Sequence, residues 1–227
     1  MQLYIGNKNY SSWSMRRWVM LTNAGIAFDE AALRFDSFAP GSAFRTAIDK
    51  INPVGKVPCL VDDGLVVWDT LAIAEYAAEK YPAKQLWPTD PKQRARARSI
   101  CAEMHSGFTA LRGACMMNIE ASLPEVGALV LRDKPAVRVD VQRIETIFSE
   151  LLAQHGGPYL FGGQFTIADA YYAPVCMRFK TYALSQRQDV NAYLESVRSA
   201  PGVAQWIAAA LVEDDFRDFE EPYRLKR

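Results

Sequence analysis

Two hydrophobic periods run along this chain, and the second takes over near residue 82. Leu3-Tyr4-Ile5 is a short apolar run that suits a buried strand, and a polar loop follows it from Asn7 to Ser14. Met15, Trp18, Val19 and Thr22 then stand at i, i+3, i+4 and i+7, which predicts a helix over 14–24 with Gly25 placed to stop it. Residues 28–35 form a weaker strand candidate, and two strands separated by a helix close as a right-handed βαβ unit. The apolar runs 57–61 and 65–68 flank Asp62-Asp63-Gly64. Asp-Gly supplies the positive φ that a tight turn needs, so this stretch predicts a hairpin. A helix follows Asp69-Thr70, with Leu71, Ala74, Ala78 and Tyr81 on one face, and ends at Pro82. The order is strand, helix, strand, short helix, hairpin, helix.

Residues 82–91 carry three prolines around Leu86-Trp87 and read as a linker. Beyond them every periodic segment is helical. Ala97, Ile100, Cys101, Met104, Phe108, Leu111, Cys115 and Ile119 predict one helix of more than twenty residues. A second carries Val137, Val141, Ile144, Phe148, Leu151 and Leu152, and its end at Gln154-His155-Gly156 puts a histidine where a cation complements the helix dipole. Thr166-Ile167-Ala168-Asp169 has the spacing of a capping box and opens a third, with Pro174 placed to kink it. Residues 192–197 and 203–211 give two more. There is no internal repeat. The expected class is α+β: a small α/β domain over residues 1–81, a linker over 82–91 and an all-helical domain over 92–227.

Composition narrows the function classes. Lys plus Arg and Asp plus Glu number 26 each, so the formal charge is zero, without the cationic excess of a nucleic-acid or polybasic membrane binder. The longest apolar stretches, such as 207–212, fall far short of the ~20 residues that span a bilayer. The N-terminus lacks the basic flank and apolar run of a signal peptide. Four cysteines without a CxxC pair point to a reduced, cytoplasmic setting, and two histidines exclude a multi-histidine metal site.

Three places could carry chemistry. Pro58 follows Val57 at the start of an apolar run, where proline sits either on an edge strand in trans or in a turn. Cis bonds make up only ~5–6% of X-Pro in folded proteins, so composition alone favours trans; a cis bond would leave the Val57 backbone free for an extended peptide. Ser11, Ser12 and Ser14 precede a helix, where hydroxyls either cap free amides or, with the helix dipole, stabilise an anion such as a thiolate. The loop contains no cysteine, so such a thiolate comes from a ligand. Asp69-Thr70 starts another helix; beside the simple N-cap reading, the pair suits the ammonium and carboxylate of an amino-acid headgroup.

Together, Ser11-Ser12-Trp13-Ser14-Met15-Arg16, Ile51-Asn52-Pro53-Val54-Gly55-Lys56-Val57-Pro58, Asp69-Thr70-Leu71-Ala72-Ile73 and Thr166-Ile167-Ala168-Asp169 resemble the glutathione S-transferase family, over nearly the whole chain. The likeness is greatest to the serine-type classes, zeta and theta, and to a bacterial branch with an Asn-Tyr-Ser-Ser-Trp-Ser loop. The resemblance implies a thioredoxin-like N-terminal domain, a helical C-terminal bundle and a homodimer, to which Arg94, Arg96 and Arg98 could contribute cross-subunit pairs. It implies a cis Pro58, Val57 paired with the cysteinyl backbone of glutathione, Asp69 and Thr70 on the γ-glutamyl headgroup, and Lys56 near the glycyl end. The thiolate-stabilising hydroxyl is Ser11 on the zeta template, the preferred alignment, and Ser12 when counted four residues back from Arg16.

Where the zeta motif has cysteine after the double serine, this chain has Trp13, which weakens any inference of maleylacetoacetate isomerase activity. Trp13 is instead expected to wall the electrophile pocket with Met104, His105, Phe108 and Arg112, the apolar members being shared with the bundle core. The implied reaction is attack of the glutathione thiolate on a small, apolar electrophile, with glutathione as co-substrate, no tightly bound cofactor and no metal. Glutathione-dependent peroxide or disulfide reduction, and a non-catalytic glutathione-binding module, are the alternatives on the same fold.

Overall fold

The computed structural model describes residues 1–226. Its N-terminal part runs β1 (Gln2–Ile5), α1 (Ser12–Asn23), β2 (Asp29–Ala32), α2 (Ala43–Ile48), β3 (Cys59–Asp62), β4 (Leu65–Trp68) and α3 (Thr70–Lys80). The strands form one sheet in the order β2-β1-β3-β4. β1 and β2 are parallel, with Gln2 opposite Asp29, so the expected βαβ unit is present. β3 runs antiparallel to both β1 and β4, with Leu60 opposite Leu3 and Val67. Leu3, Ile5 and Leu60 are fully buried at the centre of the sheet. β2 lies at the edge and is mostly exposed, which is why its apolar pattern is weak. Asp63 and Gly64 take φ of 52° and 84°, as the tight hairpin requires.

After a single 3-10 turn at Pro82–Lys84 the chain is helical: α4 (Pro91–Ser106), α5 (Thr109–Ala114), α6 (Pro124–Asp133), α7 (Pro135–His155), α8 (Ile167–Tyr182), α9 (Gln188–Ser199) and α10 (Pro201–Val212). α8 is the central helix, buried on nearly every face, and it accommodates Pro174 within a continuous run. α1 packs against both α8 and α10, so one helix of the N-terminal part is also core for the C-terminal part. Trp206 of α10 reinforces that seam, donating from Nε1 to the Lys8 carbonyl at 3.0 Å and packing edge-on against Trp18. His155 ends α7 as expected, with Gly156 in the left-handed region behind it.

Two expectations need correction. The long helix predicted through residues 97–119 is broken: α4 stops at Ser106, Gly107 is extended, Phe108 takes φ of 53°, and α5 starts afresh. The apolar period survives the break because Met104, Phe108, Leu111 and Cys115 all face one core. Arg112 holds the turn, donating from Nη1 to the carbonyls of His105 and Gly107 at 3.3 Å each, and Asp140 of α7 accepts from the Leu111 amide at 2.9 Å. Secondly, α6 was not anticipated; it packs on α7 and α8. Arg96 and Arg98 pair with Glu150 and Glu75 of their own chain.

The segment after α10 turns back over the first loop. Glu213 accepts from the amides of Lys8 and Asn9, and Asp215 from the side chains of Asn7 and Arg34 at 2.7 Å each. Glu221 accepts from Tyr10 at 2.7 Å and from Asn118 at 2.8 Å, and is paired with Arg224. Among the described residues, no helix is long and apolar enough to cross a membrane and no acid, histidine and cysteine cluster could hold a metal ion.

Candidate active site

A cavity of about 1000 Å³ opens where the two parts of the molecule meet. Ser11, Ser12, Trp13, Lys56, Val57, Pro58, Asp69, Thr70, His105 and Arg112 line it. Met104 and Phe108, expected in the same pocket, do not: the break between α4 and α5 turns both into the bundle core, where they are 0% and 6% exposed. Met116, Met117, Arg178 and Glu220 line it from the helical part, and Phe38 from the segment between β2 and α2.

The β1–α1 loop sets the serines. Ser11 occupies the N-cap position of α1, yet its hydroxyl caps no amide. It donates instead to Ser14 Oγ at 2.7 Å, and Ser14 in turn accepts from the Gly6 amide at 3.1 Å. Ser12 Oγ accepts from Arg178 Nη2 at 3.5 Å, which leaves its own proton free to donate into the cavity. Both serines line the cavity; the Ser11 hydroxyl donates to Ser14, whereas the Ser12 hydroxyl donates to no described residue.

Loop 52–58 is held from behind. The Asn52 amide donates to the Lys56 carbonyl at 2.7 Å, and its oxygen accepts from the Val54 amide. Arg45 donates to the Gly55 carbonyl at 2.8 Å. Gly55 takes φ of 63°, a backbone conformation that favours glycine, and a Cβ there would also displace the ends of the Arg45 and Asp49 side chains. The Val57–Pro58 bond is cis. At α3, Asp69 takes φ of 72°, a region rarely adopted by residues with a Cβ and characteristic of functional sites. Its Oδ1 accepts from the Leu71 amide at 2.7 Å, and its Oδ2 lies 3.3 Å from His105 Nε2. Thr70 is buried beside it, its hydroxyl 3.1 Å from that of Tyr171.

Cations surround Trp13. The Arg16 guanidinium lies 4.2 Å from its ring centre and Arg112 4.9 Å, while His105 meets it edge-on. Arg16 and Arg17 are fully buried and share the Tyr171 ring, and both retain guanidinium nitrogens without a hydrogen-bond partner. Burial pushes Arg16 down to about 9 and Arg178 to about 10, with repulsion from Arg178 adding to the first and from Arg112 to the second; both remain cationic at neutral pH. The four cysteines are free, buried and absent from the cavity wall, and burial pushes Cys59 and Cys115 up to about 11. Among the described residues, the cavity wall carries Arg45, Lys56, Arg112 and Arg178 and no thiol.

Arg178 and Glu220 were not anticipated as site residues. Arg178 carried a legible signal, a lone cation in an otherwise apolar run of α8, whereas Glu220 sits in an acidic, aperiodic tail that offered none.

Family models of the glutathione S-transferase N-terminal and C-terminal domains match residues 10–80 and 93–209. Glutathione S-transferase Z1 of Arabidopsis thaliana is 31% identical over 173 residues, 74% of each chain. Maleylacetoacetate isomerase of Rattus norvegicus is 27% identical over 172 residues, 76% of this chain and 74% of its own. A crystal structure of a glutathione transferase homologue from Burkholderia, with bound glutathione, shares the fold at a TM-score of 0.68 and 23% identity, covering 92% of this chain and 97% of its own. With both domain models matched in order and the serine loop, cis-proline loop and α3 start meeting in one cavity, the chain belongs to the glutathione S-transferase family.

Proposed function

We propose that this glutathione transferase holds its co-substrate along the N-terminal wall of the cavity and stabilises the thiolate with Ser12. Asp69 takes the γ-glutamyl ammonium and buried Thr70 its carboxylate. The Val57 backbone pairs with the cysteinyl unit, and Lys56, exposed at the mouth, meets the glycyl carboxylate. The observation that carries this reading is the Ser12 hydroxyl, which lines the cavity at the start of α1 with Arg178 behind it and its proton uncommitted.

The energetics suffice. A free thiol has a pKa of ~8.5, and lowering it by two units takes roughly 2.7 kcal/mol at ~1.36 per unit. A charge-assisted hydrogen bond supplies ~1.5–3 kcal/mol and the helix dipole another ~0.3–1. The thiolate then attacks an electrophilic carbon, and the leaving group departs with the electron pair.

A second reading is favoured by one observation. Arg178 lines the helical wall beside the expected Arg112, so that wall suits a substrate carboxylate as well as an apolar electrophile. Glutathione-dependent isomerisation of an unsaturated acid, as the name of the rat relative indicates for that protein, uses the same thiolate in reversible addition to a double bond. Calorimetry with glutathione, followed by turnover of aryl halides, peroxides, disulfides and maleylacetoacetate, separates the readings. Conjugation consumes glutathione stoichiometrically, isomerisation consumes none, and a bare binding module turns over nothing. A homodimer, implied by the resemblance, and a cytoplasmic setting, expected from the cysteine usage, belong to the same proposal; a monomer mass in light scattering at micromolar concentration contradicts the dimer.

A further inference from the structure

The cavity wall holds several cations but, among the described residues, only two carboxylates. Asp69 belongs to the N-terminal wall. Glu220 reaches the opposite side from the 3-10 turn Asp218–Glu220 of the C-terminal tail. Its placement is enforced by its neighbours. The Phe219 ring packs edge-on against Phe38 at 5.3 Å, and Glu221 is buried against Tyr10, Asn118 and Arg224. Between these anchors the Glu220 carboxyl makes no hydrogen bond with any described residue; it shares the cavity wall with Arg178, whose charge acts on it.

We infer that Glu220 is a specificity residue that discriminates anionic from neutral electrophiles. The inference rests on the assignment of this cavity to glutathione and its second substrate. When protonated, Glu220 leaves Arg178 and Arg112 available to a substrate carboxylate. When ionised, it answers the Arg178 charge itself and repels an anionic electrophile, while a neutral one is little affected.

The charged groups around it set the direction with pH. Burial pushes the Glu220 carboxyl up to about 7, Arg178 of α8 opposes that shift, and Glu221 beside it adds to the rise. Arg112 of α5 stands next to Arg178, and the Tyr10 phenol, held to Glu221, stays neutral because burial pushes its pKa up. Preference for anionic electrophiles is therefore greatest below neutrality and falls as pH rises.

The test uses two probes on the full chain with saturating glutathione: 4-chloro-3,5-dinitrobenzoate as the anionic aryl chloride and 1-chloro-2,4-dinitrobenzene as the neutral one. Taking the ratio of their kcat/KM values cancels the common ionisation of the glutathione thiol. Between about pH 6 and about pH 8 the wild-type ratio is expected to fall about tenfold, equivalent to ~1.4 kcal/mol. In Glu220→Gln the ratio should stay high and flat across that range, and Glu220→Ala should behave likewise. A flat wild-type ratio, which needs no variant, overturns the inference, as does a Glu220→Gln ratio that still falls with pH. Failure of wild type to bind glutathione in calorimetry would instead overturn the assignment of the cavity.

Discussion

At the start of α8, Thr166 and Asp169 close on each other: the Asp169 carboxylate accepts from the Thr166 amide and hydroxyl, from the Leu160 amide and from Tyr193, at 2.8–3.2 Å. At the start of α1, Ser11 stands in the same N-cap position but spends its hydroxyl on Ser14, no side chain caps the helix, and two buried arginines one turn on keep unpartnered nitrogens. Both starts are buried and both carry hydroxyl residues, so chemistry of that kind does not by itself separate structure from function. What separates them is whether the polar groups are satisfied. The α8 start is closed upon itself; the α1 start is left open toward the cavity, where the proposed function places a ligand thiolate.

That contrast can be broken from either side. The largest effect belongs to Asp169→Ala, which strips four donors of their common acceptor in a fully buried setting and should lower unfolding stability by about 3–5 kcal/mol in denaturant titration. A loss below ~1 kcal/mol would show that the box does not hold the helix. Ser12→Ala should leave stability within ~1 kcal/mol of wild type, since no cap is lost, yet slow conjugation by about 10- to 100-fold, worth ~1.5–3 kcal/mol. Unchanged steady-state turnover would remove the donor role.

Asp69→Ala and Thr70→Ala act on binding shared by ground and transition states. For each, the KM for glutathione should rise about tenfold with kcat little changed; a collapse of kcat at constant KM would mean that the assigned contacts are wrong. Smallest is the stability effect of Arg16→Met. Exchanging a buried, unpaired cation for an apolar side chain should move the unfolding midpoint by no more than about 1 kcal/mol, in the stabilising direction. A large loss would mean that its stacking on Trp13 and Tyr171 holds α1 in place.

The sequence reveals the closed start more readily than the open one. Thr166 and Asp169 announce their capping box by spacing, and Asp63-Gly64 announces the hairpin, because both depend on local backbone geometry. The serine loop, Pro58 and Asp69-Thr70 are legible as motifs. Which serine is free is not, since that depends on Ser14 and on Arg178, 166 residues away in sequence. The break at Gly107–Phe108 escapes a periodicity argument because the buried residues keep their spacing across it. The burial of Arg16 and Arg17 is not legible either, since it depends on Tyr171 of α8, far along the chain. The tail that delivers Glu220 is held by specific hydrogen bonds to the opposite end of the chain, with no hydrophobic period to betray it.

The central claim is that the open start of α1 stabilises a ligand thiolate through Ser12. It is tested most directly by titrating thiolate absorbance of bound glutathione in wild type, Ser11→Ala, Ser12→Ala and the double variant. The account predicts that Ser12→Ala raises the pKa of the bound thiol by about one to two units, that the double variant adds little, and that Ser11→Ala shifts it by less than about half a unit. Four coincident titrations, or a shift confined to Ser11→Ala, would contradict it.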